Sequence, residues 1–176
     1  MTLETNTIAL INTTTTHLIS NKNKFSNSSL WTFMLEREIV NNNYEEWVER
    51  IFKLQDLNID KLFTIYSKEF EEIVGLIRLH NISTIHYKAE VITVILEHMQ
   101  KKGYGIESKK ILIEYAFNTL NLNRLEFYVD QNNTNSIKSI TKLGAFYEGT
   151  LREHIYFTDG YIRNSHIYSV LHSEWI

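Results

Sequence analysis

The chain has no cysteine, no proline and only six glycines in 176 residues. Without a thiol it has no disulfide framework, no thiolate metal site and no cysteine nucleophile. The missing proline accompanies many asparagines, as in Asn41-Asn42-Asn43, and reads as compositional bias with no functional message. No apolar run approaches a membrane span, and Met1 to Asn6 lacks the basic flank and apolar core of a signal peptide. A cytoplasmic location without a membrane partner is the expectation. The net charge is only −3 and no basic run of useful length occurs, so no nucleic-acid partner is expected either. No repeat of fixed period is evident.

A hydrophobic content of 43% and a charged content of 22% are those of an ordinary globular protein, here one domain over 1–176. Thr5 to Ile11 alternates weakly as a first strand, and Asn12 or Thr13 is placed to cap a short helix toward Ser20. Asn21 to Ser29 reads as loop. The apolar cluster Leu30, Trp31, Phe33, Met34 and Leu35 is either a core patch or a wall of an acceptor pocket. Trp47, Val48, Ile51, Phe52 and Leu54 form one face of a helix capped near Asn43. Leu62–Tyr66 and Ile73–Leu79 flank Ser67-Lys68-Glu69 as a hairpin, and Asn81 to His86 reads as loop. Further on come a strand Leu125–Val129, a helix Thr134–Leu143 closed by Gly144, and two strands around the Asp159-Gly160 turn. The class is mixed α/β, with antiparallel strands at both ends. His80 and His86 are poorly spaced for one helix face, and no metal site is expected.

The most informative stretch is Gln100-Lys101-Lys102-Gly103-Tyr104-Gly105. Before it, Glu90 to Leu96 is β-branched and apolar, a buried strand. After it, Ile106, Ile113, Ala116, Phe117 and Leu120 recur at helical spacing, with Glu107, Lys109, Lys110 and Glu114 off that face. Strand, glycine loop and helix start form an arrangement suited to phosphate, because the first N–H groups of a helix lack internal partners and carry its positive dipole end. There is no Gly-Lys-Ser/Thr ending and no third glycine, which excludes a P-loop and a dinucleotide fingerprint.

The second half resembles the GNAT superfamily of acetyl-CoA-dependent N-acetyltransferases, in its RimJ/RimL-type branch. The resemblance rests on Gln100 to Gly105 as a Gln/Arg-x-x-Gly-x-Gly/Ala loop, Asn123-Arg124-Leu125-Glu126, Asn133-Thr134-Asn135-Ser136, and Lys142-Leu143-Gly144 followed by Glu148-Gly149. The closing Asp159 to Asn164 and Glu174-Trp175 resemble the family's last hairpin and terminal tryptophan. It departs from the pattern at Ala145, where the family has phenylalanine, and at Asn164, where it has aspartate. What is implied is a mixed, mostly antiparallel twisted sheet with helices on both faces and a splayed central strand.

The resemblance also implies a cofactor and a mechanism. Acetyl-CoA is the co-substrate, with no metal. Backbone N–H groups of Val94, Ile95 and Leu96 would bind pantetheine and polarise the thioester carbonyl. Those of Lys101, Lys102, Gly103, Tyr104, Gly105 and Ile106, with Gln100, would hold the diphosphate. Asn133 is a helix cap or a pantetheine ligand. The amine attacks directly, through a tetrahedral oxyanion. The tyrosine-using branch places a proton donor at the position of Ile140, which cannot donate, so Ser136 is expected to serve the departing sulfur. Glu90, Glu97 and Glu126 are the base candidates by position. An α-amine with pKa about 8 needs less help than an amine of about 10.4, which favours a protein N-terminus over a polyamine or other small amine. Glu36, Glu38, Glu45 and Glu46 would supply an acidic pocket for the polyamine reading, and a non-catalytic acyl-CoA-binding module is the remaining alternative. A homodimer is left open, since Ile167 to Ile176 suits an interface strand and a core strand equally.

Overall fold

The computed structural model describes residues 3–175; Met1 and Thr2, at the start of the stretch read for a signal peptide, and Ile176 lie outside it. The strands are β1 Ile8–Asn12, β2 Lys61–Ser67, β3 Glu72–Ser83, β4 Lys88–Ile95, β5 Arg124–Asp130, β6 Phe146–Tyr156 and β7 Ile162–Leu171. The helices are α1 Thr15–Ser20, α2 Lys22–Phe25, α3 Arg37–Asn42, α4 Tyr44–Asp56, α5 Tyr104–Asn118 and α6 Thr134–Lys142. All seven strands share one sheet in the order β1-β2-β3-β4-β5-β7-β6. Among the described residues only β4 and β5 pair in parallel, because α5 carries the chain back across the sheet between them.

Alternation along the strands sends successive side chains to opposite faces, and a helical layer covers each. Leu62, Leu76 and Val94 gather with Trp47 and Ile51 of α4 on one side. On the other side the Phe63 and Tyr115 rings meet edge to face at 5.7 Å. Leu112, Phe117, Leu125 and Phe127 are fully buried, each contributing roughly 1.5–3 kcal/mol by leaving water. Gly75 is dictated by close approach, since a Cβ there would lie 2.3 Å from the Val94 carbonyl oxygen of β4.

Several local expectations shift. Thr14 caps α1, its hydroxyl accepting from the His17 N–H, so the cap falls later than Asn12 or Thr13. The expected loop from Asn21 to Ser29 contains α2, and β3 continues through Ser83 into the expected Asn81–His86 loop. Lys109 was placed on the polar side of its helix yet is buried, because α5 is covered by the sheet and by α6 and shows little polar face. Phe146 is 64% exposed and does not take over the missing phenylalanine's role; Ala145 packs against the core in its place. The closing strand β7 lies between β5 and β6 and is core, not edge.

Candidate active site

The parallel pairing of β4 and β5 lasts for three residue pairs, ending at Glu90 opposite Glu126. Beyond that point the strands part, and a cleft of about 620 Å³ opens between Val91–Ile95 and Phe127–Asp130. Residues of α6, the glycine loop and the 29–36 segment complete its walls. The sheet's one parallel junction is thus where it opens.

At one end lies the glycine loop. Lys101 and Gly103 both take left-handed backbone angles, φ +62° and φ +94°, which bend the chain into a concave run of N–H groups. The N–H groups of Lys101, Lys102, Gly103, Tyr104 and Gly105 have no acceptor among the described residues. The run stops on both sides, since Gln100 donates to the Glu97 carbonyl at 3.2 Å and Ile106 to the Gly103 carbonyl at 3.0 Å. Ile106 is therefore corrected from the set of free donors. The Lys102 side chain turns away from the cleft, its ammonium 4.3 Å from the Phe70 ring centre, so that residue offers its backbone N–H alone. Five free N–H groups at the positive end of a fifteen-residue helix fit a diphosphate. The Gln100 amide closes on the Ile95 carbonyl at 3.1 Å, and Tyr104 turns inward to Ser67 at 3.1 Å.

Along β4 the free donors also move. The Leu96 N–H donates to the Val74 carbonyl at 2.9 Å, so Leu96 is unavailable to a ligand and is corrected. Antiparallel alternation turns the Val94 N–H toward β3 in the same way. Ile95, with Thr93, is left facing the open side. Val94 remains in the cleft wall through other atoms.

On α6, the Asn133 carboxamide oxygen caps the helix by accepting from the Ser136 N–H at 3.1 Å, and both residues line the cleft. Ile140 is buried there as well. Ser139, three residues after Ser136 and so on the same helical face, also lines the cleft and was not foreseen.

At the vertex stands Glu90. Burial is the main force on its carboxyl, with Glu36 adding repulsion against relief from His80, Arg78 and Arg163, and its pKa is pushed up to about 7. The rival carboxylates have other duties. Burial would raise Glu126, but hydrogen bonds and charge from Arg124 and Lys88 overcome it and hold the group low. Glu97 accepts from the Ser29 hydroxyl in an exposed setting.

Three consecutive residues fix the adjoining wall, each to a different element. Glu36 pairs with Arg78 of β3, whose other nitrogen lies 3.5 Å from the buried Asp60. Arg37 meets both Asp159 oxygens at 2.8 Å and lies 3.7 Å from the Phe157 ring centre. Glu38 accepts from the Thr158 hydroxyl and N–H, which lower its pKa. Of the four expected acidic residues, only Glu36 reaches the cleft, joined there by Asp130. Of the apolar cluster, Leu30, Phe33, Met34 and Leu35 line the cleft whereas Trp31 is core, so the two readings divide between them.

Four buried polar atoms in this lining have no hydrogen-bond partner among the described residues: Glu36 Oε2, Thr93 Oγ1, Ser139 Oγ and Arg163 Nε. Buried polar groups are nearly always partnered, so such a concentration in one cleft is the mark of a polar ligand's site. Thr93 and Asp130 have no sequence signal beyond their strands, Arg163 is seen only as part of the closing-hairpin resemblance, and nothing sets Lys109 apart from its charged neighbours.

A forked sheet with free N–H groups at one end and a half-buried carboxyl of raised pKa at the other is an arrangement suited to transferring an acyl group from a phosphate-bearing carrier to a nucleophile. The acetyltransferase (GNAT) domain pattern matches residues 15–145, and the chain belongs to that family. It is an acetyl-CoA-dependent acyltransferase. Spermidine N(1)-acetyltransferase of Escherichia coli is 32% identical over 127 residues, covering 69% of this chain and 68% of that protein. YdaF of Bacillus subtilis, provisionally named a ribosomal N-acetyltransferase, is 29% identical over 147 residues, covering 82% and 78%. RimL, a ribosomal L7/L12 α-N-protein acetyltransferase solved in complex with coenzyme A, superposes with a TM-score of 0.83 at 16% identity, covering 97% of this chain and 98% of that one. Among the described residues no helix is long and apolar enough to cross a membrane, and no group of three metal-ligating side chains occurs.

Proposed function

We propose that this chain, as one acetyltransferase domain over 1–176, acetylates primary amines and that its preferred acceptor is a protein N-terminal α-amine. The observation that carries the reading is Glu90, a half-buried carboxyl at the fork vertex whose removal from water pushes its pKa up to about 7. A base of that strength takes a proton from an ammonium of pKa about 8 at a cost of about 1.4 kcal/mol, against roughly 5 kcal/mol for one of about 10.4. The vertex therefore suits the weaker amine.

Acetyl-CoA supplies the acyl group as an activated thioester. The loop N–H groups from Lys101 to Gly105 hold its diphosphate, and the open-side N–H of Ile95 orients the pantetheine and polarises the carbonyl. Glu90, five residues back along β4 from Ile95 and so on the order of 16 Å from it, accepts the amine's proton through water in the cleft. The Ser136 hydroxyl donates a hydrogen bond to the departing thiolate, a contact that Ile140 cannot make, and the sulfur leaves with the proton that the nitrogen gives up as the tetrahedral intermediate collapses to the amide. Asn133 holds the helix turn that presents Ser136.

A second reading, a polyamine acceptor, is favoured by the carboxylates of Glu36, Glu90 and Asp130 in one cleft and by the likeness to the Escherichia coli spermidine enzyme. Competition decides between them: acetyl-CoA with equal amounts of spermidine and a peptide bearing a free N-terminal serine, products read by mass spectrometry. Faster acetylation of the peptide supports the proposal. Preference for spermidine moves the assignment to polyamines, and CoA binding without any acetylated amine refutes both.

A further inference from the structure

The cradle has a feature beneath it that the mechanism above leaves unused. Lys109, on the second turn of α5, is 7% exposed and belongs to the cleft lining. Its ammonium donates to the Gly105 carbonyl at 3.0 Å and sits 3.7 Å from where a Gly105 Cβ would lie. Among the described residues it takes part in no ion pair.

A buried cation without a counter-charge is costly, and proteins rarely keep one. Burial alone lowers its pKa, to about 8. The elements around it offer no relief. On its own helix Glu107 is held by the Thr5 and Thr7 hydroxyls. Of the strands packed against α5, β1 and the Ile73–Ile77 stretch of β3 carry no ionisable group, and β4 meets this region with Ile95. The other cleft cations, Lys101, Lys138, Lys142 and Arg163, share its sign. Of the cleft carboxylates, Glu36 is paired with Arg78, Asp130 accepts from the Tyr161 hydroxyl and Glu97 from the Ser29 hydroxyl in an exposed setting, and Glu90 is five residues back along β4 from Ile95, on the order of 16 Å away.

We infer that Lys109 is an internal counter-charge for the diphosphate of CoA, unpaired in the free protein and neutralised when the ligand's phosphates settle on the loop above it. This rests on the assignment of the Lys101–Gly105 cradle to that diphosphate. It adds a requirement that the free N–H groups alone do not impose, because binding must draw a proton onto Lys109 wherever the free protein has lost it. At pH 8 about half of the free molecules carry a neutral Lys109, so CoA binding takes up close to half a proton per site.

The test is calorimetric titration of CoA at pH 8 in buffers of different ionisation enthalpy, on the wild type and on Lys109→Met, which keeps the stem and removes the charge. The wild type is expected to take up about half a proton, and Lys109→Met close to none. The variant's Kd for CoA should rise about 10- to 100-fold, the usual range for losing a charge-assisted hydrogen bond. In the absence of CoA its Tm should be higher than that of the wild type, which a merely structural lysine would not give. Wild-type binding of CoA without proton uptake overturns the inference, as does a Lys109→Met Kd within twofold of wild type. A wild type that fails to bind CoA instead removes the cradle assignment itself.

Discussion

Replacing Glu90 with glutamine keeps the shape and one acceptor oxygen of the side chain and removes its proton-accepting form. With the carboxyl at about 7, its ionised fraction is about a tenth at pH 6, half at pH 7 and nine-tenths at pH 8. The wild-type kcat should follow that fraction, rising roughly ninefold from pH 6 to pH 8. Glu90→Gln should lose this limb and run about 10²- to 10⁴-fold slower at pH 8, the usual contribution of a positioned base. Stability should move the other way. A folded-state pKa raised from 4.5 to about 7 means stability that is present below 4.5 and lost as pH climbs through 7. At pH 8 the ionised, half-buried carboxylate thus costs the fold roughly 3 kcal/mol, and glutamine removes that cost. The assay is CoA release followed by a thiol reagent from pH 5.5 to 9, with thermal melts at pH 5 and pH 8. A variant that keeps the acidic limb, or stays within fivefold of the wild-type rate at pH 8, refutes the base assignment. A melt unchanged at pH 8 refutes the burial argument behind it.

Three further substitutions probe the rest of the cleft. Ser136→Ala should lower kcat by tenfold or more while the Kd for acetyl-CoA stays within about threefold, measured by steady-state kinetics and calorimetry; an unchanged kcat would shift the donor role to Ser139, whose hydroxyl is buried without a partner in the same lining. Gly103→Ala forces a Cβ onto φ +94°, a strain of about 1–2 kcal/mol, so Tm should fall by several degrees and CoA should bind more weakly. Arg37→Ala removes the contacts to Asp159 and Phe157 that tie the 29–36 wall to the β6–β7 hairpin, and should raise KM for the amine severalfold with little effect on CoA affinity in equilibrium titration.

The glycine loop was legible because its physics is local: two glycines, a buried strand before them and a helix after them leave free N–H groups in any context. The hairpins at Ser67-Lys68-Glu69 and Asp159-Gly160 were legible for the same reason, and the mixed, mostly antiparallel sheet came from the family resemblance. Which donors stay free was not. The N–H groups of Leu96 and Ile106 are spent on Val74 and Gly103, a matter of register and of the first helical turn that no residue type announces. Glu90 reads as one carboxylate among three; only the sheet's divergence separates it, half-buried at a vertex, from Glu126 beside two cations. Glu36, Arg37 and Glu38 read as a charged run on a helix face, yet each is committed to a different part of the chain, from 42 to 122 residues away. Lys109 was hidden because α5 is covered on more sides than its apolar period suggests.

The most direct test of the account is an experimental structure of the chain with CoA. It should place the diphosphate oxygens within about 3 Å of the N–H groups of Lys101 to Gly105, and the thiol in the fork between Ile95 and Ser136 with Glu90 beyond it. Phosphates bound away from that loop, or a pantetheine that leaves the gap between β4 and β5 unfilled, would contradict it.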